Sequence, residues 1–132
     1  MTVRISKSRV DLGDSRLDNP VLRGYGEIKA SPSISGGTLT LNLSTASVFE
    51  VALNANITTF TVSNPVPTGN AQSFTLIFVA DGTARTVTWG NAISWPGATA
   101  PTLTSTSGQR DFFTFYTSTA GGFFAFIAGQ NY

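Results

Sequence analysis

From Thr38 onward apolar residues fall at every second position. Leu39, Leu41 and Leu43 alternate with Thr38, Thr40 and Asn42, the pattern of a strand with one buried face. Phe49, Val51 and Leu53 repeat it on a second strand, and Phe60 and Val62 mark a third between Ile57 and Ser63. NPVPTGN at 64–70 then breaks pairing, because proline lacks a backbone donor and fixes φ. SFTLIFVA at 73–80 is apolar at both parities, which predicts a central strand covered on both faces. Asp81-Gly82 ahead of ARTVTW predicts a tight hairpin, and with it antiparallel pairing of 73–80 to the segment that follows. A broken stretch with Trp95, Pro96, Gly97 and Pro101 comes next. DFFTFYTS at 111–118 and FFAFIA at 123–128 flank Ala120, Gly121 and Gly122, a second predicted hairpin. No segment carries a sustained 3.6-residue apolar period. Seven or eight short strands separated by turn signals predict an all-β fold, an antiparallel β-sandwich or jelly-roll-like domain.

Charge divides the chain differently. Residues 30–132 contain five charged side chains, Glu50, Asp81, Arg85, Arg110 and Asp111, while residues 1–29 hold the other ten. This predicts an extended, charged N-terminal arm over 1–29 and a β-sandwich body over 30–132. A soluble surface ordinarily has roughly a quarter or more of its residues charged, so a body this poor in charge is expected to hide surface against copies of itself or a partner. Pro20, Gly24 and Gly26 keep the arm extended or turning, and its scattered Val3, Ile5, Val10, Leu12, Leu17, Val21 and Leu22 suit shallow docking pockets. Mixed charge with little apolar content also fits an unfolded tail; ordering on a partner is the reading preferred here.

Composition closes several chemistries. The 132-residue chain has no Cys and no His, which removes disulfides, thiolate or imidazole metal ligands, a cysteine nucleophile and any triad built on histidine. No cofactor, no metal and no catalytic residue is therefore assigned, and the chain is read as a non-enzyme. Glu50 and Asp81 form the one conceivable carboxylate pair, but Asp in a DG turn is favoured for backbone reasons. A net charge of +1 lacks the concentrated basic excess of a nucleic-acid binder. No apolar stretch has the length of a membrane span or a secretory leader, so a soluble protein made in the cytoplasm, with no membrane partner, is expected. SGG at 35–37 and AGG at 120–122 lack the Lys and the strand-turn-helix setting of a phosphate loop.

Six of the ten Phe lie between residues 112 and 126. Successive aromatics in a strand point to opposite faces, so one set fills the core and the other must be covered by something else. Burying a large apolar side chain contributes about 1.5–3 kcal/mol, and soluble monomers rarely expose several together. Phe112, Phe113, Phe115, Phe124 and Phe126 are accordingly expected at a subunit interface, the alternative being a thick single-chain core. Trp95 beside Pro96-Gly97 reads as a packed corner or, alternatively, as a stacking platform for a sugar ring.

The succession LDNPVLRGYGE, TLTLNL, FEVALNANITTFTVSNP, SFTLIFVADGTARTVTWG, ISWPGATAPTLTS, DFFTFYT and FFAFIAGQNY resembles a β-rich module of tailed-bacteriophage virion proteins over about residues 17–132. In that group the module often ends longer tail or fibre proteins, and similar small all-β proteins stand alone as trimeric capsid decoration, or cement, proteins. The resemblance implies a bacteriophage virion structural protein on the capsid surface, assembled in the host cytoplasm: a homotrimer that binds and stabilises the major capsid protein shell, or binds another virion protein. Arg4, Lys7, Arg9, Arg16 and Arg23 would then meet acidic shell residues, with Val21, Leu22 and Tyr25 anchoring the arm. The alternative it implies is a tail-fibre or head-fibre receptor-binding module, in which loops 64–72 and 90–101 meet the host and Asn91, Trp95 and Thr99 line the contact.

Overall fold

A computed structural model describes residues 4–5, 10–12, 16–90, 92–119 and 121–132. Among them the chain is nearly all β. The strands are β1 (Arg4–Ile5), β2 (Val10–Asp11), β3 (Lys29–Ala30), β4 (Thr38–Asn42), β5 (Val48–Leu53), β6 (Thr59–Ser63), β7 (Gln72–Ala80), β8 (Ile93–Ser94), β9 (Arg110–Thr119) and β10 (Gly122–Gly129), with one 3-10 turn at Pro96–Ala98. β1 and β2 pair only with each other; β4 and β6 form a second two-stranded sheet; the remaining strands form one sheet in the order β3-β5-β7-β9-β10-β8.

The chain winds between the two larger sheets. β3, β5 and β7 lie side by side and parallel in one sheet, while the intervening β4 and β6 lie parallel in the other. Each circuit therefore sets the next strand beside its predecessor's predecessor, and Ile57 and Val87 add one more parallel contact. Gly37 closes one corner of this coil at φ +77°, a conformation glycine adopts without steric cost, and its carbonyl accepts from the amides of Thr58 and Thr59 at 2.8 and 3.1 Å. Two antiparallel ladders, β7 with β9 and β9 with β10, follow, and β8, parallel to β10, forms the far edge.

The parallel ladders correct the expectation of an antiparallel fold. Alternating polarity predicts strands but is silent on their direction, and here short loops carry the chain across to the opposite sheet instead of back along the same one. The Asp81-Gly82 hairpin is corrected for the same reason. Both edges of β7 are occupied, by β5 and β9, so the segment after Gly82 has no edge to return along. It crosses to Ile57, whose amide donates to Thr86 O at 2.9 Å and whose carbonyl accepts from Thr88 N at 2.8 Å. Asp81 serves the turn itself, accepting from Thr83 N at 3.0 Å and pairing with Arg85. The central position of 73–80 and the antiparallel pairing of 111–118 with 123–128 are as the sequence predicts.

The core lies where the sheets face each other. Leu39, Leu41 and Phe60 come from the smaller sheet, and Phe49, Val51, Phe74, Leu76, Phe78, Phe113, Phe115, Phe123 and Ala125 from the larger one. Trp89 and Trp95 enter from the connecting segments, with ring centroids 4.9 Å apart at 68°. Phe74 stacks on Phe115 at 4.9 Å and 3°. Aromatic pairs of this kind add about 0.5–1.5 kcal/mol beyond the area they bury.

Candidate functional site

β9 shows how the aromatic cluster divides. Asp111, Phe113, Phe115 and Thr117 are buried, while Arg110 and Tyr116 on the other parity are exposed and Phe112 and Thr114 half-covered. Phe113 and Phe115 have no exposed surface, which corrects their assignment to a subunit interface: they are core residues packed against Trp89 and Trp95. Phe124 and Phe126 of β10 point the other way, at 54% and 49% exposure. Phe124 lies opposite Tyr116, which is 39% exposed, and Phe126 lies opposite Thr114. Continuing across the sheet, Ser73 pairs with Tyr116, Thr75 with Thr114 and Ile77 with Phe112. The outer face of β7, β9 and β10 is thus an aromatic and threonine surface. Among the described residues charge occurs only at its margins: Arg110 at one end, and Lys29 3.4 Å from Glu50 on the far strands.

The N-terminal segment is the second exposed apolar surface. Val21 is 95% exposed, and Leu17, Leu22, Tyr25 and Ile28 are exposed with it, as are the charged Arg16 and Arg23. Lys7 and Arg9 lie outside the described residues, and Arg4 is described as backbone in the ladder with Asp11. The segment joins the body at Ile28, whose carbonyl accepts from Ser47 N and Val48 N, both at 3.2 Å. Lys29 already belongs to edge strand β3, so the sheet begins one residue inside the expected arm.

The register fixes where the termini leave. Lys29 lies beside Val48, Val48 beside Thr75 and Thr75 beside Thr114, so the N-terminal segment departs from the end at which β5 and β7 begin. At the opposite end Val79 lies beside Arg110, and the main chains of Arg110 and Tyr132 exchange hydrogen bonds of 2.9 and 3.2 Å.

Of the receptor-contact set, Trp95 is buried and Thr99 exposed. Trp95 is 9% exposed and packs edge-on to Trp89 and Phe113, which corrects its reading as a platform open to a ligand. Its indole Nε1 is buried with no hydrogen-bond partner. Thr99 is exposed, and Asn91 lies outside the described residues.

Two ionic features complete the picture. The Arg85 guanidinium, hydrogen-bonded to the Asp81 carboxylate, holds that carboxyl below the usual range and raises the pKa of Arg85 in turn. Asp111 is the residue sequence reasoning missed. It is 2% exposed and accepts four hydrogen bonds: Thr104 N at 2.7 Å, Thr104 Oγ1 at 2.6 Å, Gln130 Nε2 at 3.1 Å and Asn131 N at 3.2 Å. Its parity with Phe113 and Phe115 was the available signal, because it places the carboxylate on the core face. Among the described residues no group of three or more His, Cys, Asp or Glu is placed to hold a metal ion, and no helix is long and apolar enough to cross a membrane.

No family model, no curated protein and no solved structure matches the chain. The function must therefore be read from these two surfaces.

Proposed function

We propose that the protein is a bacteriophage virion structural component, a trimeric capsid decoration protein that grips the major capsid protein shell through its N-terminal segment. The body is a sandwich of the two sheets that share the core, and its role is mechanical. The observation that carries the reading is the segment from Arg16 to Ile28: without strand or helix, interleaving charge with Val21, Leu22 and Tyr25, and exposing those apolar side chains. Such a segment gains most by ordering across another protein. The cost of ordering lowers affinity per unit area but allows a large surface to be covered. Three arms on one trimer multiply weak contacts through effective concentration, and binding only the assembled lattice stabilises that lattice by mass action.

Co-sedimentation with undecorated, expanded capsids tests the reading. The full chain should pellet with the shells and saturate near parity with the shell protein, whereas a chain lacking residues 2–20, or carrying Val21→Asp with Tyr25→Asp, should stay in the supernatant while keeping its folded spectrum. Undiminished pelleting of both variants would remove the arm from the mechanism. Saturation at a few copies per particle would indicate a vertex or tail component instead.

A further inference from the structure

We infer that the outer face of β9 and β10 is the trimer contact, and that copies meet there around an axis running along the strands, so that all N-terminal segments leave from one end. The inference rests on the trimeric reading above and deepens it by naming the face and its orientation. Phe124, Phe126 and Tyr116 each leave about half of an aromatic side chain in solvent, on the order of 300 Å² per copy before the half-covered Phe112 and Val79 are added. A stable interface uses about 800 Å² per partner, so this patch can form the apolar centre of one, with Thr114, Ser118 and Ala128 as its surround.

The occupant follows from charge. No charged side chain occurs from Phe112 to Tyr132, so β10 and the outward positions of β9 beyond Arg110 offer nothing to a partner that recognises by charge. A matching surface must be equally apolar and uncharged, and a second copy of this face supplies one. Orientation follows from the termini. A twofold axis perpendicular to the strands would send the N-terminal segments to opposite ends, and only one could reach a shell. An axis parallel to the strands sends them all to the end where β5 and β7 begin. It also sets Phe124 at the height of its own copies, and Phe126 likewise.

The absence of cysteine makes this directly measurable. Phe124→Cys and Phe126→Cys, each prepared singly in the full chain and oxidised, should both give disulfide-linked dimers, because β10 runs beside the axis. In an antiparallel arrangement centred on one of these positions, the other would be displaced from its copy by about 13 Å, since strands rise about 3.3 Å per residue. That exceeds the roughly 4.5 Å limit between Cβ atoms in a disulfide. Native mass should read three copies for the unmodified chain, and Phe126→Lys should raise the concentration needed for assembly at least 100-fold. Both residues are half exposed, so tryptophan emission should report an unchanged fold in each variant. A monomer at high concentration, linkage at one position only, or full assembly of Phe126→Lys would each overturn the inference. Capsid pelleting separates the two readings: a chain that pellets as a monomer sinks the ring and leaves attachment, whereas a ring that never pellets leaves the ring and sinks attachment.

Discussion

Replacing Asp111 with Ala isolates the one buried carboxylate among the described residues. The side chain is 2% exposed and among the described residues no cation pairs with it, so its charge is balanced by four donors from two separate pieces of chain, Thr104 on the loop before β9 and Gln130 and Asn131 at the C-terminus. Removing it leaves the amides of Thr104 and Asn131 without acceptors, whereas the Thr104 hydroxyl and Gln130 amide can turn toward water. An unsatisfied buried donor costs about 1–3 kcal/mol, which puts the loss for the two amides at about 2–4 kcal/mol after partial hydration. For a domain of this length that corresponds to a fall in Tm of roughly 6–15 °C. Urea unfolding gives the free energy, and hydrogen exchange gives the location: protection should fall at Thr104 and Asn131 before it falls in β7. Asp111→Asn should recover only part of the loss, because its NH2 faces donors. A double cycle with Thr104→Ala should show coupling of about 1 kcal/mol or more. A loss under about 1 kcal/mol in Asp111→Ala, with exchange at Thr104 and Asn131 unchanged, would refute the view that this carboxylate ties the C-terminus to the body.

Four further outcomes follow from the same geometry. Phe115→Ala should destabilise by about 3–5 kcal/mol in chemical denaturation, whereas Phe124→Ser should change the stability of the isolated monomer by under about 1 kcal/mol. Gly37→Ala should cost about 1–3 kcal/mol, because the residue sits at φ +77° and an added Cβ would lie 2.6 Å from Thr58 Oγ1; Thr58→Ala in the same chain should recover the contact part and leave the backbone part. Trp89 and Trp95 are both buried, so native emission should be blue-shifted and resist acrylamide, and Trp95→Ala should lower stability before it touches any attachment activity. The carboxyl of Asp81 should titrate below the ordinary aspartate range in NMR, and Arg85→Ala should return it toward that range. Because the folded pKa is lowered, the pair's small contribution is present above the unfolded carboxylate's pKa and is lost as pH falls through the folded one.

Much of the fold was legible because burial imposes a period. Leu39, Leu41, Phe49, Val51 and Leu53 fall on the core face as alternation predicts, and the segment 73–80, apolar at both parities, does lie in the middle of the sheet. Strand direction was not legible. A parallel ladder and an antiparallel one bury the same alternating side chains, and only the route of the connections distinguishes them. Asp81-Gly82 misled for a related reason: the turn chemistry is present, but a hairpin also needs a free edge, and β9 takes it from thirty residues further on. At the candidate site, successive aromatics guaranteed that some would face outward. Which ones did so depended on the parity of β9, set by Phe113 and Phe115 packing on two tryptophans from distant loops.

The scarcity of charge in the body raises the question of what prevents indiscriminate association, since β proteins usually guard their edges with charge. Here edge length does that work. The larger sheet is bounded by β3 and β8, each two residues long, and Pro32, with no backbone donor, follows β3 closely. Beyond β8 the chain stays close to β10, where Gln130 Nε2 reaches Thr102 O at 2.9 Å. At the larger sheet, these short or flanked edges suppress pairing by backbone hydrogen bonds and leave side-chain contact through its outer face. Lengthening an edge should reverse this: Pro32→Val would extend the β-forming run after β3, and is expected to produce strand-mediated aggregates detectable by thioflavin fluorescence. If that variant stays as soluble as the parent, edge control lies elsewhere than in the shortness of β3.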